Sequence, residues 1–371
     1  MRLTGLITNT GDWLRGEGPH HQIVVSSRVR LARNVADRPF PGWAKKSERV
    51  EVLEQILQAI ESLPTLSDRY SEYLQDLSAM EKNILVERHL ISREHAAKGA
   101  GSAVVLNMQQ TLSLMVNEED HLRMQALQPG LQLVETYAIA NAADSELEKR
   151  LDFAFHPVLG YLTACPSNVG TGMRASAMVH LPGLVISDQM NKIINSVNKI
   201  GLAVRGLHGE GTEAMGNLFQ VSNQTTLGEA EDDIIDRLNK VILQVIEHER
   251  HAREILLQRK AVTLLDQIGR AFGILNYAHS INSKEALNML SVMKLGIDLG
   301  IFPEQARLAV DELFIETQPA HLQKSSQRKL SAEERDTLRA DIIRAKLNEL
   351  PDPDISNVSG GEDSQTSAND E

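Results

Sequence analysis

The chain has 371 residues, 42% hydrophobic and 24% charged, enough for two soluble globular domains and unlike a fibre or a wholly disordered chain. Its single cysteine excludes an internal disulfide and a cysteine-based zinc site, and with no apolar run near the roughly 18 residues of a membrane span and no apolar signal core at the N-terminus, a cytoplasmic protein that does not engage membranes is expected. The 38 basic and 50 acidic residues, a net charge of -12, oppose general nucleic-acid binding but leave room for a small polyanion held by a few arginines.

Residues 23–31 alternate β-branched and polar side chains and read as a strand. Within it, Ser26-Ser27-Arg28-Val29-Arg30 puts Arg28 and Arg30 on one face while Val29 and Leu31 face a core. Two such cations repel unless an anion lies between them, and phosphate suits the guanidinium fork; a solvated strand face with surface ion pairs fits the same pattern. A helix over 48–62 and strands over 111–116 and 131–137 follow. Between those strands, Val116-Asn117-Glu118-Glu119-Asp120-His121-Leu122-Arg123 crowds three carboxylates together. A loop that tolerates this has a cation to hold, whether a metal or a substrate guanidinium, or uses one Glu as a base; an acidic helix N-terminus is the other reading.

Cys165-Pro166-Ser167-Asn168-Val169-Gly170-Thr171-Gly172-Met173-Arg174 precedes a strand over 175–181, and its glycines permit close approach of the backbone to a ligand. It lacks the lysine and spacing of a Walker A loop, and Cys165 fits a small buried residue as well as a thiolate. After a helix over 188–200, Arg205-Gly206-Leu207-His208-Gly209-Glu210-Gly211 reads either as a mobile loop able to deliver a carboxylate or as a surface turn. These elements describe an antiparallel or mixed sheet flanked by helices. From about residue 231, Ile234, Ile235, Leu238, Val241, Ile242, Val245 and Ile246 recur at helical spacing, and helices continue to about 350. A division into 1–230, 231–350 and a disordered acidic tail over 351–371 is expected. Ser331 and Glu334 have capping-box spacing, predicting a helix from Ala332 with Arg335 and Arg339 on one solvated face. No H-E-x-x-H, D-F-G, H-R-D or G-x-S-x-G occurs, which disfavours zinc hydrolases and protein serine/threonine kinases.

In this order, S-S-R-V-R, N-E-E-D-H-L-R, C-P-S-N-V-G-T-G-M-R and R-G-L-H-G-E resemble the signature of the phosphagen (guanidino) kinase family, over roughly residues 23–228. The resemblance implies an α+β fold, an antiparallel β-sheet flanked by helices over 1–230, followed by an α-helical C-terminal domain. It implies ATP and Mg²⁺ as cofactors, with Arg28, Arg30, Arg123, Arg174 and Arg205 around the phosphates and His89 as a further nucleotide contact. Ser26, Ser27, Val29, Ala175, Ser176, Ala177 and Met178, together with Gly206, Leu207, His208, Gly209 and Glu210, complete the implied nucleotide site. Glu119 and Glu210 would grip the substrate guanidinium, with Cys165 nearby as a thiolate. The chemistry suits these residue types independently: a guanidinium, with a pKa above about 12, needs alignment and a carboxylate to take its proton, and phosphoryl transfer needs neutralised phosphate oxygens.

Fewer than 30 residues precede S-S-R-V-R, where small-molecule members of the family carry a helical domain, and a helical region follows instead. Both features resemble the branch that phosphorylates arginine side chains of proteins, as does Arg335-Asp336-Thr337-Leu338-Arg339-Ala340, similar to that branch's R-D-x-x-R-A element for phosphoarginine as an allosteric signal. The resemblance implies protein substrates including a heat-shock repressor, a link to the Clp protease machinery, an activating partner, and a homodimer formed through the helical region. A kinase of free arginine, or a non-catalytic adaptor binding phosphoarginine through Arg335, Asp336, Arg339 and Ala340, are the alternatives.

Overall fold

The computed structural model describes residue 5 and residues 11–206, 214–326 and 328–350. Strand β1 (Val24–Arg33) is followed by helix α1 (Lys46–Ile60), strand β2 (Arg69–Tyr73), helices α2 (Ala79–Glu87) and α3 (Arg93–Ala96), and strands β3 (Ala103–Asn107), β4 (Leu112–Val116) and β5 (Leu122–Pro129). Next come helix α4 (Leu133–Glu148), a hairpin of β6 (Phe155–His156) and β7 (Gly160–Tyr161), strand β8 (Met173–His180), helices α5 (Pro182–Ile186) and α6 (Met190–Lys199), and strands β9 (Leu202–Gly206) and β10 (Leu218–Asn223). The C-terminal part contains α7 (Glu231–Tyr277), α8 (Ser283–Asp298), α9 (Ala306–Glu316), α10 (Pro319–Ser325) and α11 (Ala332–Leu347). Among the described residues no helix is long and apolar enough to cross a membrane.

Eight strands form one sheet in the order β2-β3-β4-β5-β1-β8-β10-β9, and every neighbouring pair is antiparallel. Because side chains alternate along a strand, this register sorts them into two faces. Val29 lies opposite Ala126 and Ala175, and Val221 opposite Ala177 and Val204. These residues belong to the main hydrophobic core, which helices α1, α4 and α6 and the first half of α7 complete. The opposite face carries Arg28 and Arg30 at the centre of the sheet.

A second core is built from the later part of α7 with α8, α9 and α11, and it includes Leu218 of β10 with Met178 and Val25 packed against it. Met178 and Leu218 are on the arginine-bearing face, so the C-terminal helices cover one end of that face and leave the other open. Helix α7 runs through both cores, with non-helical backbone at Lys260 (φ -139°, ψ 31°).

The stretch 131–137, predicted as a strand, instead enters α4. Its apparent alternation is the opening of a helical stripe, since Leu133, Thr136, Ala140, Ala143 and Leu147 are the buried positions at three- and four-residue spacing. The capping box of Ser331 and Glu334 forms and α11 begins at Ala332, while the tail over 351–371 lies outside the described residues.

One buried ion pair ties sheet to helix at the site. Arg33 Nη2 is 2.6 Å from Asp144 Oδ2 of α4, its Nη1 donates to the carbonyls of Ala32 and Thr171, and its guanidinium lies 3.5 Å over the Tyr161 ring. Removing one partner of such a pair would leave an uncompensated buried charge.

Three buried histidines make stability depend on pH, His180 being pushed well below the usual value by burial. Burial depresses His121 from the usual 6.5 to about 4, against the pull of the Pro39 carbonyl, and His95 to about 3. Below the ordinary imidazole range the unfolded chain takes up protons that the folded chain refuses, so this stability is complete above about pH 6.5 and is lost as pH falls towards 4. Urea unfolding should show His121 alone contributing a loss of about 2 kcal/mol between pH 7.5 and pH 5. His121→Gln should remove that share; an identical pH dependence in the variant would contradict the assignment.

Candidate active site

Register brings the arginines together. Arg30 of β1 lies directly opposite Arg174 of β8, and Arg123 of β5 lies opposite Ala32, the next residue of β1 on the same face. Arg28 lies opposite Ser176, and Arg205 of β9 opposite Gln220, again on this face. Arg30, Arg123, Arg174 and Arg205 line a cleft of about 650 Å³ together with Glu119, Cys165, Ser167 and Asn168. Arg28 and His89 line a second cleft of about 890 Å³.

This cluster is electrostatically incomplete. Burial first, then Arg123 and Arg174, lowers Arg28 to about 10. Burial, Arg28, Arg123 and Arg174 push Arg30 well below the ordinary guanidinium value, with Glu118 opposing, and Arg174 is lowered by burial and by Arg205. An arginine does not give up its proton in a protein, so these shifts measure how strongly the cations oppose one another in a poorly solvated place. Among the described residues Arg30 Nε is buried without a hydrogen-bond partner, while Arg28 finds only Gln220 Oε1, at 2.7 Å. A polyanion of several oxygens would satisfy all of them.

The acidic segment divides its three carboxylates among three tasks. Glu118, fully buried, holds Arg123 at 2.6 Å and accepts a hydrogen bond from Ser92 Oγ. Glu119, with its side chain 47% exposed, reaches Arg123 Nη2 at 3.1 Å and faces the cleft. Asp120 turns inward, where it accepts from Asn34 Nδ2 and from the amide of Ala164, each at 2.7 Å, with burial raising its pKa. Part of the cation sought by this segment is thus the chain's own Arg123. Asp120 instead positions the loop that carries Cys165, whose Sγ is 3.0 Å from Ser167 Oγ.

Gly172 lines the cleft, and both glycines of this loop also let protein backbone approach closely: a Cβ at Gly170 (φ +113°) would sit 2.1 Å from the Thr226 carbonyl oxygen, and one at Gly172 (φ +64°) 2.6 Å from that of Ala32. One expectation needs correction. Arg335 and Arg339 do not share a solvated face. Arg339 is 2% exposed, donating to the carbonyls of Thr317 and Ile281 and to Asp336 Oδ1, with Ala340 buried beside it; Arg335 is half-buried and donates to the Leu330 carbonyl.

The remaining candidates divide by face. Ser26, Ser176 and Met178 border the space beside Arg28 and His89. Val29, Ala175 and Ala177 lie in the core on the far side, and Ser27 Oγ is used by the Gly130 carbonyl and the Gln132 amide. Gly206 ends β9, whereas Leu207, His208, Gly209 and Glu210 lie outside the described residues. Sequence reasoning passed over Asn34, Ser92 and Gln220, which brace the acidic loop, Glu118 and Arg28; no local pattern marks them, because their partners are 86, 26 and 192 residues away.

The arrangement can bind a phosphate chain beside a carboxylate able to accept a proton. Arg30→Met, which keeps most of the volume but removes a charge opposed by its neighbours, should leave ligand-free stability unchanged or raise it by about 1 kcal/mol. It should weaken binding of a nucleoside triphosphate on the order of a hundredfold. Denaturant unfolding and calorimetric titration check the two halves; loss of stability with unchanged affinity would contradict the reading.

Comparison with known proteins places this geometry. The family model for the ATP:guanido phosphotransferase C-terminal catalytic domain matches residues 51–252, and that for the protein-arginine kinase McsB C-terminal domain matches 261–358. The chain is 48% identical to a protein-arginine kinase of Halothermothrix orenii, over 94% of this chain and 100% of the relative. It is 46% identical to one of Brevibacillus brevis, over 91% and 95%. Among solved structures it resembles a lombricine kinase (25% identity, TM-score 0.55, 65% of this chain and 71% of the other). It also resembles the duplicated taurocyamine kinase of Schistosoma mansoni (26% identity, TM-score 0.57, 77% of this chain and 42% of that one). The chain belongs to the ATP:guanido phosphotransferase family, in its protein-arginine kinase branch.

Proposed function

We propose that this chain transfers the γ-phosphoryl group of ATP to the guanidinium of arginine side chains in proteins. The observation that carries the reading is the cleft itself, in which four arginines on one sheet face meet Glu119. The phosphates would lie against Arg30, Arg123, Arg174 and Arg205, with the nucleoside end towards Arg28 and His89. A guanidinium nitrogen of the substrate attacks the γ-phosphorus, the bond to the β-phosphate oxygen breaks, and ADP leaves. The proton lost by the nitrogen passes to a carboxylate, for which Glu119 is the described candidate. Glu119 already accepts a guanidinium N–H from Arg123, the same kind of contact a substrate arginine would offer.

Glu210 is proposed as the second carboxylate of the clamp, and Cys165, which lines the cleft, as a further catalytic group. Among the described residues no group of three or more His, Cys, Asp or Glu is placed to hold a metal. Mg²⁺ would come with the phosphates and neutralise part of their charge, and Glu119, a carboxylate lining the cleft, is a hard oxygen donor suited to it. That proteins rather than free arginine are the substrates is supported by the relatives named protein-arginine kinase. The same reading extends to a homodimer in the cytoplasm that marks proteins for Clp proteolysis, inactivates a heat-shock repressor and answers to an activating partner. It also includes a phosphoarginine effector site at Arg335, with Asp336, Arg339 and Ala340 as its internal support.

The test is mass spectrometry under conditions that preserve acid-labile P–N bonds, on a basic unfolded protein incubated with the chain and Mg-ATP, with free arginine in parallel. Phosphate is expected on protein arginines and not on free arginine, and Glu119→Ala should abolish transfer while retaining ATP binding. Phosphate on free arginine alone would make the chain a small-guanidine kinase.

A further inference from the structure

The cleft beside Arg28 and His89 has a wall that the catalytic sheet does not supply. Its lining includes Met215, Ser283, Leu287, Gln318 and Pro319, and all but Met215 come from the C-terminal helical region. Two clamps hold the Gln318–Pro319 part of this wall. From one side, Arg339 donates to the carbonyl of Thr317 at 2.9 Å. From the other, Glu87, the last residue of α2, accepts from the amides of Ala320 at 2.8 Å and His321 at 3.2 Å, and from His321 Nδ1 at 2.7 Å.

His321 Nε2 lies 3.3 Å from Arg88 Nε, which donates to it. Glu87, Arg88 and His89 are consecutive; the first two meet His321 at its two ring nitrogens, and the third turns to the cleft. His89 holds a left-handed backbone (φ 57°), its carbonyl accepts from Gln125 Nε2 at 2.7 Å, and Trp13 meets its ring edge-on at 5.6 Å. The Glu87 carboxylate therefore ties the Gln318–Pro319 wall to the chain two residues before His89, which lines the same cleft.

We infer that the C-terminal helices form part of the nucleotide subsite and that Glu87 is a positioning residue for the nucleotide, setting the width of that cleft through Ala320 and His321. The inference rests on the proposed binding of ATP across the two clefts. Because the wall touches the nucleoside end and not the transferred group, loosening it lowers the population of the binding-competent cleft, and apparent affinity falls by the same factor.

In the full chain, Glu87→Ala should raise both the Kd for ADP and the KM for ATP about tenfold, with kcat at saturating ATP changed by less than about twofold. Glu87→Gln keeps a carbonyl oxygen for the Ala320 amide and should recover part of the affinity. Ser283→Trp, on the wall but in neither clamp, should also lower ADP affinity about tenfold by filling the cleft, which keeps the test decisive should Glu87→Ala fail to fold. Unchanged ADP affinity in folded Glu87→Ala or in Ser283→Trp would overturn the inference, as would a fall in kcat and stability at constant KM. Failure of the unaltered chain to bind ADP would remove the nucleotide reading beneath it.

Discussion

The mutual repulsion of arginines on one face of an antiparallel sheet is the constraint around which the rest of the structure is arranged. Arg28, Arg30, Arg123, Arg174 and Arg205 come from four strands, and their convergence follows from register: a shift of one residue in β1 would send Arg28 and Arg30 into the core and Val29 into the cleft. The face is costly without a ligand, since burial and like charges depress Arg28, Arg30 and Arg174 together. Its cost is the source of its use, because the interaction with a phosphate chain is strongest where the cations are least satisfied by water or by one another.

Such a face persists only if its surroundings are firm. The opposite side of the sheet is a continuous apolar core, and Arg33, the next arginine along β1, is the contrasting case. Facing the core, it is fully paired with Asp144 and two carbonyls, and so fastens the sheet to α4 and to the loop after Cys165. Glu118, itself held by Ser92, holds Arg123, while Asp120 with Asn34 orients the Ala164 amide beside Cys165. The C-terminal helices close one end of the face, and the contacts of His321 with Glu87 and Arg88 join them to the two residues that precede His89.

Much of this was legible in the sequence where the signal is local. Two-residue spacing placed Arg28 and Arg30 on one face, the three- and four-residue recurrence from Ile234 marked α7, and Ser331 with Glu334 marked the start of α11. Linear sequence failed where long-range pairing decides. Stretch 131–137 mimics a strand until the helical stripe to Leu147 is included. Gly170 and Gly172 accommodate backbone of Thr226 and Ala32, partners that no nearby residue announces, although Gly172 also lines the cleft. Arg339 looked solvated because nothing near it in sequence reveals that the Thr317 and Ile281 carbonyls meet its guanidinium inside the helical core. The family signature, by contrast, was readable as an ordered set of motifs although each motif alone supports a bland reading.

The central claim, that the arginine face is completed by a polyphosphate, is tested most directly by thermal unfolding of the full chain with increasing Mg-free tripolyphosphate, against sodium chloride at matched ionic strength. A specific site predicts a saturating rise in Tm, equivalent to about 2.7 kcal/mol at a hundredfold excess over Kd, that chloride does not reproduce. A Tm that stays flat, or that follows ionic strength alone, would contradict the account.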